Sequence, residues 1–194
     1  MLDSAISDFG QESFLIQHLW HLVGAVNSEL YQARPDRAVR LLEDRRQPLK
    51  SSLLLQNNMI AIFYHDLEMR TGLGLARSLE KARAQKKAFN HAEKHMRALE
   101  KLEHPLSSVM VMMARAQIAW SSGERKTCVA LLEEAEEQAR ATQCDLHLHA
   151  ILSWRARILG KSAEASRRAC DAWFEDHKIS NPPSMIRCLL PMSS

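Results

Sequence analysis

The sequence predicts an all-α protein built from antiparallel helical hairpins, and three observations predict it. Ala, Leu, Glu, Arg and Lys dominate a chain of 194 residues in which aromatic residues make up 6%, a balance that favours helix over strand. Gly and Pro number only 6 each, too few for a protein of many short strands and tight turns. Apolar residues recur at spacings of three and four along most of the chain, the period of a helix with one buried face.

Composition bounds the rest. With 46% apolar and 25% charged residues the chain is globular, and disorder is excluded. A chain of this length buries roughly 70% of the surface its unfolded form exposes, so it needs no disulfide or metal staple to make a core. Its 4 cysteines, Cys128, Cys144, Cys170 and Cys188, form no CxxC pair. They argue against a zinc or thioredoxin-like motif and fit reduced thiols in a cytosol. A formal net charge of +3 falls short of the basic excess of a nucleic-acid binder. The first ten residues carry two Asp and no basic segment, and no apolar run reaches membrane-spanning length. The expectation is a cytoplasmic protein, neither secreted nor membrane-bound.

Taken in order, Leu15, Leu19, Leu22, Val26 and Leu30 form one stripe of a helix ending near Tyr31. Pro35 suits the first turn of the next helix, whose buried side is Ala38, Val39, Leu41 and Leu42, and Gln47 and Pro48 are expected to end it. A third helix over about 51–70 is apolar around much of its circumference (Leu53, Leu54, Leu55, Met59, Ile60, Ile62, Phe63, Leu67), so it should be sandwiched between neighbours. Thr71, Gly72 and Gly74 are read as its punctuation. The fourth helix, about 75–103, carries Leu75, Leu79, Ala82, Phe89, Ala92, Met96 and Leu99 on one stripe before Pro105.

Two further hairpins follow, 106–121 with 124–142 and 146–159 with 162–177. If Gly123 and Gly160 are equivalent turns, then Ala116, Cys128 and Ala135 in one copy match Ser153, Ala165 and Ala172 in the other, and all six are small. Small residues at such positions let paired helices approach closely, as in tetratricopeptide (TPR) repeats. The earlier turns at Ala33 and Gly74 make the spacing irregular, so the array is degenerate. Asn181 followed by Pro182 marks a cap and first turn, giving a short capping helix over about 182–190 stopped by Pro191. The reading is a TPR-like superhelical array, an α-solenoid, forming a single helical-repeat domain over 1–194. Its hairpins fall at about 12–48, 51–103, 106–142 and 146–177, with residues 4–11 polar enough to cap the first helix.

The segments Gln17-His18-Leu19-Trp20, Glu29-Leu30-Tyr31 and Lys50-Ser51-Ser52-Leu53-Leu54-Leu55, with the tail from Trp173 through Asn181-Pro182 to Leu189-Leu190-Pro191, resemble the C-terminal TPR-like helical region of bacterial eukaryotic-like serine/threonine protein kinases. The resemblance spans nearly the whole chain, and its motifs are packing signatures. The loop before the last hairpin is shorter than in that family, and the tail lacks a glycine-rich finish. What the resemblance implies is a regulatory or partner-binding appendage of a signalling system, with kinase activity residing in a separate domain.

No motif carries chemistry of its own. Asp8, Phe9 and Gly10 spell the magnesium-holding tripeptide of kinases, but no glycine-rich loop, strand lysine or catalytic loop can fit in seven residues before it. Gly160, Lys161 and Ser162 look like the end of a phosphate-binding loop, yet Arg155 stands where that loop needs glycine and a helix precedes it. His91 and His95 are four apart on one helix face, the spacing a divalent metal needs. In HAEKH, however, Glu93 is misplaced for the HExxH pattern, and the pair is read as solvated or hydrogen-bonded. His18 with His21 and His147 with His149 are read as structural, and Glu133, Glu134, Glu136 and Glu137 as a solvated helix flank. No catalytic, cofactor-binding or metal-ligating residue is assigned.

One surface feature stands out. Arg83, Lys87, Lys94, Arg97 and Lys101, with Lys86 beside them, stack on the face of the fourth helix opposite its apolar stripe. This basic ridge is an ordinary solvated face, a docking place for an acidic partner segment, or a surface that packs against acidic residues such as Glu133 to Glu137 of a neighbouring hairpin or second subunit. It lacks the interleaved aromatics that nucleic acid would stack on. The sequence-level expectation is a non-catalytic protein-interaction or regulatory module that binds a protein or peptide, without membrane or cofactor. The alternatives are a structural or dimerising segment that forms a homo-oligomer, or a fragment of a longer kinase or ATPase chain.

Overall fold

The computed structural model describes residues 14–191, and among them every regular element is helical. The chain divides into two compact units, Met1–Ala98 and Leu99–Ser194. The polar segment 4–11 and the Asp8, Phe9, Gly10 tripeptide lie outside the described residues.

In the first unit, α1 (Ile16–Tyr31) buries Leu19, Leu22, Val26 and Leu30, the stripe that the spacing predicts. His18 Nδ1 accepts from the Leu15 amide at 2.9 Å and so closes the first turn. Helix α2 (Pro35–Ser51) begins at its proline but does not end at Pro48. A proline near a C-terminus deletes one helical hydrogen bond, and Leu49, fully buried, anchors the last turn into the core. After a short 3-10 turn (Leu54–Gln56), Asn57 caps α3 (Asn58–Ser78), accepting from the amides of Met59 at 3.0 Å and Ile60 at 3.2 Å.

Helix α3 departs most from the sequence reading. It runs unbroken through Thr71, Gly72 and Gly74, so Leu75 belongs to α3 and the turn to α4 (Ala82–Glu100) lies at residues 79–81. Gly72 is buried at a crossing and is no turn. A Cβ there would meet the Ala92 Cβ at 3.0 Å and the backbone of Ala88 and Ala92 at 3.2 Å. Glycine in a helix interior costs about 0.5–1 kcal/mol relative to alanine, and here its missing side chain is what lets α4 lie directly against α3. The enclosure that the apolar circumference predicts holds from Ala61 to Leu73, where α3 meets α1 and α2, but not at the expected start: Leu53, Leu54 and Leu55 precede the helix, and Leu53 and Met59 are exposed.

The second unit pairs α5 (Pro105–Ser121) with α6 (Arg125–Ala141) and α7 (Asp145–Leu159) with α8 (Glu164–Asp176), closed by α9 (Pro182–Leu189). Asn181 caps α9, accepting from the Ser184 amide at 3.1 Å ahead of the predicted Pro182 start. One core runs through the unit, with Ala116, Cys128, Leu132, Ala135 and Ala139 fully buried. The matching of the two hairpins does not hold. Ala165 and Ala172 are exposed and Ser153 is half-buried, while Trp154, Cys170 and Phe174 take the buried places in the second hairpin. The reason is the turn. Gly123 sits in the left-handed region and leads straight into α6, whereas Gly160 (φ 68°, ψ −134°) leads into a 3-10 stretch, Gly160–Ala163, that offsets the register of α8. None of the four cysteines is in a disulfide, and Cys128, Cys170 and Cys188 are buried.

Candidate functional site

The enclosed part of α3 contains charges. Asp66, Glu68, Arg70 and Thr71 are each no more than 6% exposed, and a buried charge needs partners. Asp66 accepts from Arg70 Nε at 2.7 Å, and the same guanidinium donates to Asn27 Oδ1 on α1 at 3.1 Å. That pair ties α3 to α1.

Glu68 is the centre of a second network that joins three helices. Its Oε1 accepts from Tyr64 Oη at 2.8 Å and from Arg46 Nε, on α2, at 3.1 Å. Its Oε2 accepts from Arg46 Nη2 at 3.2 Å and from His91 Nε2, on α4, at 2.7 Å. His95, one turn beyond His91, packs its ring against His91 with centroids 4.7 Å apart and places Nδ1 2.8 Å from Nδ1 of His65. Between two imidazoles at that distance one ring donates and the other accepts. The Tyr64 ring meets His95 edge-on.

The electrostatics follow from burial and from Glu68. Burial alone would raise the Glu68 carboxyl, but the hydrogen bonds from His91, Arg46 and Tyr64 outweigh it and pull it down to about 2. Burial pushes His95 down to about 3, with His91, His65 and Lys94 adding to the effect and Glu68 opposing it. Burial lowers His65 as well. The Tyr64 phenol is raised by burial and by the adjacent carboxylate, so it remains a donor. At neutral pH the cluster is an ionised carboxylate held by Tyr64, His91 and a guanidinium, beside the neutral imidazoles His65 and His95.

Helix geometry places these groups together. His65 and Glu68 are three apart on α3, His91 and His95 four apart on α4, and the two helices run antiparallel around the Gly72 crossing, so the pairs face each other. Glu68, His91 and His95 present ligand-type atoms all within 4.8 Å of one another. The sequence reading recognised the His91 and His95 pair and missed Glu68, His65, Tyr64 and Arg46, which come from other helices. The available signal was a run of polar residues, 64–66, 68 and 70–71, inside a helix whose apolar residues demand burial on every side.

The other sequence candidates are placed as follows. Arg83, Lys86, Lys87, Lys94 and Arg97 are all exposed on α4, with Arg97 donating to Glu93 at 2.8 Å, and Lys101 is exposed in the turn beyond that helix. The acidic flank of α6 is not simply solvated, since Arg155 on α7 bonds Glu136 and also Glu133, the latter at 2.8 Å. Ser162 Oγ donates to the Leu159 carbonyl within the 3-10 stretch, and Gly160 caps a helix, so no strand precedes that tripeptide. Among the described residues no helix is long and apolar enough to cross a membrane. Comparison with protein-family models, with curated proteins and with solved structures finds no match to this chain.

Proposed function

We propose that the chain is a non-catalytic protein-interaction or regulatory module, a TPR-like array of helical hairpins working beside bacterial serine/threonine kinase signalling. The observation that carries this reading is the exposed basic face of α4: Arg83, Lys86, Lys87 and Lys94 project from a helix whose opposite side is fixed by Ala88, Ala92 and His95. A rigid helix with a cationic face suits an acidic peptide or helix, which gains affinity from shape and charge without bond chemistry. The kinase association rests on the resemblance in packing motifs alone. Affinity capture followed by identification, with calorimetry on the purified pair, tests the reading. A single acidic-segment partner whose binding is lost in the Lys87→Glu, Lys94→Glu double variant and weakens with salt supports it. A partner that binds this variant as well as it binds the parent removes the ridge from the account.

A second reading, a dimerising segment, is favoured by one observation. Leu15, Trp20 and Met59 of the first unit are 39%, 49% and 40% exposed, and Trp20 is partnered only in part, edge-on to Phe63. Light scattering after size exclusion separates the two readings, since a concentration-independent monomer eliminates the dimer.

A further inference from the structure

We propose that Glu68, His91 and His95 form a binding site for a divalent transition-metal ion of the zinc class, joining α3 to α4. This goes beyond partner binding and does not depend on it. Two imidazoles and a carboxylate are a borderline nitrogen and oxygen donor set suited to zinc, cobalt and nickel, and not to magnesium or calcium. Their ligand atoms already lie within 4.8 Å of one another. Bonds of about 2.0–2.1 Å in a tetrahedral site set ligand atoms roughly 3.3 Å apart. Closing the site therefore asks the longest separation, at most 4.8 Å, to shorten to roughly 3.3 Å and the 2.7 Å His91 Nε2 to Glu68 Oε2 contact to open by about 0.6 Å, movements within reach of side-chain rotation.

The surroundings are those of a supported ligand set. Glu68 would offer Oε2 while Oε1 remains held by Tyr64 Oη and Arg46 Nε, so the carboxylate keeps its orientation after a metal replaces the His91 hydrogen bond. His65 holds His95 through the 2.8 Å nitrogen contact, the kind of outer partner that fixes an imidazole ligand. Both helices are locked at the Gly72 crossing, one turn from Glu68, so donors on facing helices are pre-positioned. Two cationic side chains oppose the ion, exposed Lys94 on α4, one residue from His95, and Arg46. The Arg46 guanidinium adds a positive charge beside the ion, and because its side chain is 30% exposed it can withdraw Nη2 from Oε2 toward solvent. Three protein ligands leave a fourth position. It opens on the side of His91, whose side chain is 33% exposed while that of Glu68 is 2%.

The test uses the full chain, stripped with a chelator and then titrated. Calorimetry with Zn2+ is expected to give one site per chain, Co2+ to give the visible d–d absorption of a four-coordinate site, and Zn2+ to raise the thermal midpoint. His91→Gln alters a part-exposed residue and should keep the fold by circular dichroism, yet lose at least about tenfold in affinity together with the Co2+ absorption. His18→Gln, remote in the sequence from the cluster, should bind as the parent does and thereby separates this site from surface histidines. Absence of stoichiometric Zn2+ and Co2+ binding by the parent chain overturns the proposal. So does a folded His91→Gln chain that binds as tightly as the parent.

Discussion

Ala33, Gln143 and Lys178 hold φ at 58°, 55° and 54°, the left-handed region that side chains resist, and each does so immediately after a helix. The hydrogen bonds explain why. At all three, as at Gly123, the residue's own amide bonds a carbonyl three back and the next amide bonds one five back: Gln143 to Arg140 at 3.2 Å with Cys144 to Ala139 at 2.9 Å, and Lys178 to Glu175 at 3.0 Å with Ile179 to Phe174 at 2.9 Å. This is the Schellman arrangement that satisfies the last carbonyls of a helix and turns the chain back. Only one of the four positions has the glycine it favours. Gln143→Gly should therefore raise stability by about 0.5–1 kcal/mol, read as a higher urea midpoint with an unchanged slope. Lys87→Gly, at an exposed position more than a turn inside α4, should lower stability by a similar amount.

At the scale of elements, close approach of helices depends on where the small residues are buried. Gly72→Ala places a methyl 3.0–3.2 Å from Ala92 and the α4 backbone, which cannot move aside as a flexible side chain would. A loss of about 1–3 kcal/mol is expected, together with altered side-chain signals of His91 and His95 in NMR spectra. In the second unit, Ala135 is fully buried between helices whereas Ala172 is exposed. Ala135→Leu should cost at least about 1–3 kcal/mol through overpacking. Ala172→Leu should stay within about 0.5 kcal/mol of the parent. Equal effects at both positions would restore the equivalence that the glycine-aligned sequence suggests.

For the whole molecule, the buried cluster makes stability depend on pH with a defined sign. His95 titrates at about 3 in the fold against 6.5 when unfolded, and His65 is shifted in the same direction. Between those values the unfolded chain binds more protons, so stability is complete above pH 6.5 and falls as pH drops toward 3. Glu68, held at about 2 against 4.5, adds a second loss as pH falls from 4.5 toward 2. Urea midpoints measured from pH 7.5 down to about pH 2.5 should decline. His95→Gln should flatten the upper part of that decline and Glu68→Gln the lower part. A flat profile in the parent chain would mean that the cluster does not carry these charges.

Helix content and most helix starts were legible in the sequence because they depend on local rules. The stripe of Leu19, Leu22, Val26 and Leu30 is a matter of spacing, and prolines at 35 and 182 mark first turns whether or not anything packs on them. The enclosure of the middle of α3 was likewise legible, since apolar residues cover much of its circumference. Gly72 and Gly74 misled because glycine serves both as a turn and as a point of close contact, and only the presence of Ala88 and Ala92 opposite Gly72 decides between the two. The Glu68 cluster is tertiary for the same reason. His91 and His95 announce a shared face by their spacing, but the carboxylate comes from 23 residues earlier and the guanidinium from 22 before that. Periodicity fixes which residues share a side of one helix. Which sides of two helices meet is set by packing across the turn, and from that meeting come the buried charge, its shifted titration and the proposed metal site.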